Sequence, residues 1–258
     1  IKKLRLQRND VVLDINSGTG LLGWEILRQT PEGGVWMHEK NPSRAKILEE
    51  MAKHLSKIDR PVILCSPLSK IKDQIKKQVS SIRYDAICGR NVLCMESDKE
   101  SIVKTLADYI TPNGRIAISE NILYLSQRLY ELVDSKLKKN NLFSRVAQAE
   151  EAIYQKSTSP DSTFSEIDLQ SLFLEAGFKQ VSIERQILKH QRYISKKDIS
   201  TWFSEGNKTQ PTYAYHLSKS LESEDINSIH EIFLEDLLKK NVTWTTNRAL
   251  IFAKADDK

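Results

Sequence analysis

The 258-residue chain is short of the residues that mark specialised proteins. Its three cysteines, Cys65, Cys88 and Cys94, are odd in number and lack metal-ligand spacing. A disulfide scaffold and a paired-cysteine metal site are excluded on that count, and a reducing cytoplasm is the expected setting. Long apolar runs are missing as well: none approaches the ~18 residues of a membrane span. The opening IKKLRLQRND does not read as a secretory leader. There is no internal repeat, no low-complexity tract, no Walker-type phosphate loop and no serine elbow. The five histidines, His38, His54, His190, His216 and His230, are scattered, so no catalytic triad can be read from them. Excess charge is also modest. The net charge of +5 comes with lysine clusters at Lys70, Lys72, Lys76 and Lys77, and at Lys136, Lys138 and Lys139. These read as solvated helix faces, and nucleic-acid contact is not indicated. What remains is ordinary globular composition, 40% hydrophobic and 28% charged, with length enough for a substantial core.

Within that background one stretch stands out, residues 11–23, VVLDINSGTGLLG. Val11, Val12, Leu13 and Ile15 form a short apolar run, broken by Asp14, that suits a buried strand of a parallel sheet. Gly18 and Gly20 permit positive φ and close approach of a ligand to the backbone. Leu21, Leu22, Trp24, Ile26 and Leu27 then follow at helical spacing, and the free N–H groups of that first turn suit polar ligand atoms. Gly18, Gly20 and Gly23 fit the dinucleotide fingerprint, with Glu39 about 20 residues on, near the place of the ribose acid. Asp14 points elsewhere. A carboxylate at the end of the first strand is awkward beside a pyrophosphate and useful beside a cation such as the sulfonium and ammonium of S-adenosylmethionine (SAM).

The rest of the chain keeps the alternation. Pro31, Gly33 and Gly34 stop the first helix near Thr30, and Val35, Trp36 and Met37 form a second strand ending at His38 and Glu39. Glu39 is placed on a ribose diol, since a carboxylate accepts two hydrogen bonds; the alternative is a surface acid pairing with Lys40. Pro42 opens a helix with Ala45, Leu48, Met51, Ala52 and Leu55 inward. A third strand, 61–65, runs into Ser66 and Pro67. Helix 70–79 turns Ile71, Ile75 and Val79 inward. Strand 84–89 leads to Asn91, in the crevice beyond the strand ends where ligands of open α/β sheets bind. Then come a helix over 97–110, a turn at 111–114, a strand over 115–119 ended by Glu120, and a long helix over 123–137. The helix at 143–154 and the polar loop 155–163 read as a lid or as surface decoration. Ser165 and Asp168 cap a helix that Gly177 stops, and strand 180–186 follows. Helices at 197–203, 213–221 and 225–238, with caps at Ser195 and Ser223, precede a closing strand at 247–255. Trp202, Tyr213, Tyr215 and Trp244 line a substrate pocket or the core, the core being the more ordinary role.

Together, residues 14–20, Glu39, residues 84–93, 111–120 (TPNGRIAISE) and 174–178 (LEAGF) resemble the class I SAM-dependent methyltransferases. The resemblance implies an α/β fold: a Rossmann-like seven-stranded, mostly parallel sheet with helices on both faces, a closing antiparallel strand, and a helical insertion between the last two strands. It implies one domain over 1–258, with a core of 8–194 and 242–256 and an insertion of 195–241. It implies SAM as cofactor, held by Asp14, Asn16, Ser17, Gly18, Gly20, Glu39, Lys40, Ser66, Pro67 and Asn91. The sequence departs from the family at Asn16, where a glycine is usual, and at Ser66, where an acid often holds the adenine amine. Asn tolerates left-handed backbone, so the turn survives the first departure. No residue declares itself as a catalytic base, and the methyl acceptor is not readable. Six stretches, among them LDINSGTGLLGWEILR, YDAICGRNVL and VTWTTNRALIFAKA, also resemble the methyltransferase-like region behind AAA-type ATPases of the replication-associated recombination family. That narrower resemblance, and a start at Ile1 rather than methionine, imply a fragment of a longer polypeptide with an ATPase upstream, in which this region is a non-catalytic module.

Overall fold

Short apolar runs separated by amphipathic stretches suit parallel strands joined by covering helices. The computed structural model, which describes residues 1–94, 96–155, 165–208 and 210–257, has that arrangement. Strands β1 (Val11–Ile15), β2 (Gly34–Glu39), β3 (Val62–Cys65), β4 (Tyr84–Arg90) and β5 (Ile110–Asn121) alternate with helices α1 (Leu21–Gln29), α2 (Pro42–Ala52), α3 (Ile71–Gln78) and α4 (Lys99–Tyr109). Next in the chain are α5 (Asp134–Lys139), α6 (Phe143–Glu151), α7 (Glu166–Glu175), β6 (Lys179–Tyr193), α8 (Lys196–Phe203), α9 (Tyr213–Leu217), α10 (Ser223–Leu237) and β7 (Asn241–Lys254). The sheet order is β3-β2-β1-β4-β5-β7-β6. Neighbours from β3 to β5 are parallel, and β7 runs antiparallel to β5. Among the described residues no helix is long and apolar enough to cross a membrane.

The chain forms two compact units, one of residues 1–121, 164–186 and 248–258, the other of 122–163 and 187–247. In the first, pairing sets the core. Val12 lies opposite Val35 and Ala86, and Asp14 opposite Met37 and Cys88, so these side chains share one face. Ile26 of α1 and Leu48 of α2 complete that cluster. Full burial of each such aliphatic side chain stabilises by about 1.5–3 kcal/mol. Local chemistry fixes the helix starts. Asn41 accepts from the N–H groups of Ser43 and Arg44 ahead of α2, Asp98 accepts from Ser101 N–H ahead of α4, and Ser165 and Asp168 cap α7 reciprocally.

The second unit has its own core, with Leu137, Val146, Ile199, Leu217, Ile229 and Phe233 fully buried. Tyr213 belongs to it, and Trp202 and Trp244 stack against each other at 6.5 Å and pack on it. Helix α6 buries Val146, Ala149 and Glu150 there; most of the loop read as a lid, 156–163, lies outside the described residues.

Several elements differ from the sequence reading. The long helix over 123–137 is broken into 3-10 turns at Leu123–Leu125 and Tyr130–Val133 and the short α5. Side chains have taken the backbone groups that a helix needs. Arg128 donates to the carbonyls of Ser126 and Tyr124, and buried Glu150 accepts from Leu129 N at 2.6 Å and Tyr130 N at 3.0 Å. The turn at 111–114 is an irregularity inside β5, where the register jumps from Tyr84↔Ile110 to Ala86↔Arg115 and Asn113 adopts φ 60°. Ser223 is the first residue of α10, and Glu222 in the cap position gives no side-chain bond. Met51, read as inward, is 44% exposed. Strands β6 and β7 are longer than read.

Candidate functional site

The turn after β1 is built on three left-handed residues: Asn16 at φ 54°, Gly18 at 64° and Gly20 at 92°. Asn16 fills the place of a glycine because its short amide can bond locally, and its Nδ2 donates to Asn91 O at 2.8 Å. Ser17 closes the turn from inside: its Oγ donates to Asp14 O, and its N–H to His38 O, each at 2.9 Å. At Gly18 an added Cβ would meet nothing within 4 Å, so the turn opens on free space. At Gly20 it would collide with the Trp24 indole and Leu48.

Five acids sit where the loops leave β1, β2, β4 and β5, and their surroundings separate them. Asp14 is fully buried beneath the turn. Its Oδ1 receives only a weak bond from the Cys88 thiol at 3.7 Å, and its Oδ2 has no partner. Burial pushes its pKa up to about 7, outweighing the weak lowering by the polar groups around it. The acid expected beside a ligand cation is therefore under the glycine turn rather than on its surface. Glu39 is buried too, and each oxygen accepts one backbone N–H: Oε2 from Gly18 at 2.8 Å, Oε1 from Asn41 at 2.9 Å. Glu120 is fully buried at the end of β5 and draws in three successive amides, Val92 and Leu93 on Oε1 and Cys94 on Oε2, at 2.7–3.0 Å. Burial lifts its pKa to about 7 against those three donors. Asp98 caps α4. Glu96 pairs with Lys40 at 3.5 Å, its side chain 22% exposed.

The other expected residues, Ser66, Pro67 and Asn91, lie on the same edge, beside His38, which the sequence marked only as a strand end. His38 is fully buried and its Nε2–H donates to Ser66 O at 2.9 Å. Burial lowers its pKa to about 4, which keeps the ring neutral and leaves Nδ1 a bare acceptor with no partner. Ser66 Oγ is buried without a partner, and Pro67 leads into the 3-10 turn Leu68–Lys70. Asn91, at φ 52°, accepts from Asn121 N on Oδ1 at 3.0 Å and donates its own N–H to Ser119 O. It thus ties β1, β4 and β5 together at their ends. Sequence reasoning missed Glu120 as the anchor of the 92–94 loop and Glu96 as the partner of Lys40. The only signal for Glu120 was an acid closing an apolar strand.

Among the described residues, five buried side-chain atoms lack a hydrogen-bond partner, and four of them, Asp14 Oδ2, Asn16 Oδ1, His38 Nδ1 and Ser66 Oγ, belong to residues at the carboxyl ends of β1, β2 and β3. Unpaired buried polar atoms are costly and few in native proteins, so their gathering beside an open glycine turn fits a polar ligand. SAM, with ribose, adenine and amino-acid ends, suits that set of acceptors and amides.

No protein-family model matches the chain, and no curated protein matches it in sequence. Solved structures do match its fold. The YcgJ protein of Bacillus subtilis shares 11% identity at a TM-score of 0.57, covering 100% of this chain and 96% of its own. A methyltransferase of Bacillus halodurans, itself assigned provisionally, shares 10% at 0.53, covering 99% and 96%. Phosphoethanolamine N-methyltransferase 2 of Haemonchus contortus, solved with S-adenosylhomocysteine and phosphomonomethylethanolamine, shares 10% at 0.53, covering 99% of this chain and 51% of its own. With its 3-2-1-4-5-7-6 strand order and antiparallel seventh strand, the chain has the Rossmann-like fold seen in class I methyltransferases.

Proposed function

We propose that the protein is a SAM-dependent methyltransferase acting on an acceptor yet to be identified. The observation that carries this reading is the group of unpartnered polar atoms around the open turn at the carboxyl ends of β1–β3. When bound, SAM supplies an electrophilic methyl group to a nucleophile. The chain's part is to bind, orient and exclude water. Gly18 and Gly20 let the cofactor approach the backbone, with Asn16 and Ser17 fixing the turn. Each Glu39 oxygen has accepted one amide and keeps a lone pair for one hydroxyl of the ribose. Ser66 Oγ and His38 Nδ1, beside Pro67, offer a donor and an acceptor to the base. Asn91 stands on the acceptor side. Asp14 supports the turn from below, and Lys40 flanks the entrance.

Calorimetric titration with SAM, S-adenosylhomocysteine and NAD tests the reading. Binding of SAM and its product without NAD is the expected result, and binding of NAD alone overturns it. The narrower reading, a non-catalytic module of an AAA-type ATPase in replication or recombination, gains nothing from the fold comparison. It requires a chain with no methyl transfer to DNA, protein or small molecules in a tritiated-methyl assay.

A further inference from the structure

A second hollow of the first unit lies between α1, α2 and the 55–60 segment, at the start of β2 rather than at its carboxyl end. Its volume is about 520 Å³. That is within the ~300–1,000 Å³ of small-molecule sites, and so is its make-up of apolar walls with few polar groups. The walls are Trp24 and Leu27 of α1, Met51 of α2, and Leu55 and Ile58 beyond it. Trp24 and Leu27 pack on the core cluster yet stay only partly buried, Met51 is exposed, and Ile58 is 93% exposed. Apolar side chains gathered at a concavity and left open to water gain when an apolar molecule covers them. One wall is shared with the glycine turn, because Trp24 Nε1 donates to Thr19 O at 3.2 Å.

Three charged groups line the hollow, Arg28, Asp59 and Arg60, and their partners distinguish them. Arg28 is taken by Glu25, which accepts from its Nε and Nη2. Asp59 accepts from Ser56 Oγ at 2.6 Å, within its own turn. Arg60 donates from Nε to Leu55 O and from Nη2 to Lys53 O, each at 3.1 Å. Both acceptors are neutral carbonyls. Among the described residues no carboxylate pairs with Arg60, and its Nη1 has no acceptor. The guanidinium is thus fixed at the hollow with its charge uncompensated, and its planar fork matches a carboxylate.

We infer that this hollow is a second ligand site, for a small molecule with an apolar body and a carboxylate. The body covers Trp24, Leu27, Met51, Leu55 and Ile58, and the carboxylate meets Arg60 Nη1. The site stands on the packing of the first unit and does not need the methyltransferase reading.

Calorimetric titration with sodium decanoate tests it, with decanol as the uncharged counterpart and decyltrimethylammonium as the cationic one. Decanoate is expected to saturate the wild type and to bind more tightly than either, a comparison that needs no variant to fold. Arg60→Gln keeps an amide donor for the carbonyls. It should weaken decanoate about three- to tenfold, between an exposed ion pair and a charged hydrogen bond, and leave decanol within about twofold. Ile58→Asp, where the fold has almost no buried area to lose, should weaken decanoate at least as much. Decanoate should quench tryptophan fluorescence in the wild type and far less in Trp24→Phe, with thermal melting as the check on each variant. No saturable decanoate binding, preference for the cationic probe, or an affinity indifferent to both Arg60→Gln and Ile58→Asp overturns the site. Undiminished quenching in Trp24→Phe puts the ligand elsewhere and overturns it too. Self-association of the free chain that Ile58→Asp abolishes gives the face to a second copy, with the same consequence.

Discussion

Replacing Asp14 by Asn should change how stability depends on pH. Burial raises the Asp14 pKa from 3.8 to about 7, so between those values the folded chain holds a proton that the unfolded chain has released. Stability from this group is complete below about pH 4 and is lost as the pH rises through 7. The full shift corresponds to about 4 kcal/mol, at 1.36 kcal/mol per pH unit. Between pH 5 and 8 the loss is about 2–3 kcal/mol. Asp14→Asn stays neutral throughout, although its amide places a new donor where Oδ2 has no partner, costing about 1–3 kcal/mol. The variant should therefore be the less stable protein at pH 5 and gain about 2–3 kcal/mol on the wild type by pH 8. Urea unfolding followed by the fluorescence of the four tryptophans measures both proteins at each pH. Taking the difference cancels Glu120, which has the same sign, and His38, whose lowered pKa removes stability as the pH falls from 6.5 towards 4. A difference constant to within about 0.5 kcal/mol across that range would refute a desolvated carboxyl at this position.

Glu39→Ala should weaken SAM binding by about 1–3 kcal/mol, read by calorimetry; unchanged affinity in a folded variant removes Glu39 from the ribose. Glu120→Ala strands three buried amides and should destabilise by on the order of 3 kcal/mol or more, with faster amide exchange at residues 92–94 that added formate partly restores. If exchange there stays slow, Glu120 is not the anchor. Gly18→Ala should cost only about 1–2 kcal/mol of left-handed strain, and Gly20→Ala clearly more because of Trp24 and Leu48; equal melting temperatures would contradict the packing at Gly20.

What the sequence determined by itself was the local part of the site. Alternating apolar runs gave the strands and their order along the chain, and Asn16, Gly18 and Gly20 gave a left-handed turn, because φ preferences belong to single residues. The caps at Ser165 and Ser195 were legible for the same reason, being bonds across three residues. The long helix over 123–137 was not, since Glu150, about 20 residues on, takes its amides. Only the tertiary structure decided which acid is available to a ligand. Asp14 meets Cys88 across 74 residues of chain, Glu120 meets Val92 across 28, and Lys40 meets Glu96 from the other side of β1. Whether a carboxylate is sealed, clamped or exchangeable depends on what the neighbouring strands bring to it, and strand order and register are properties of the folded sheet.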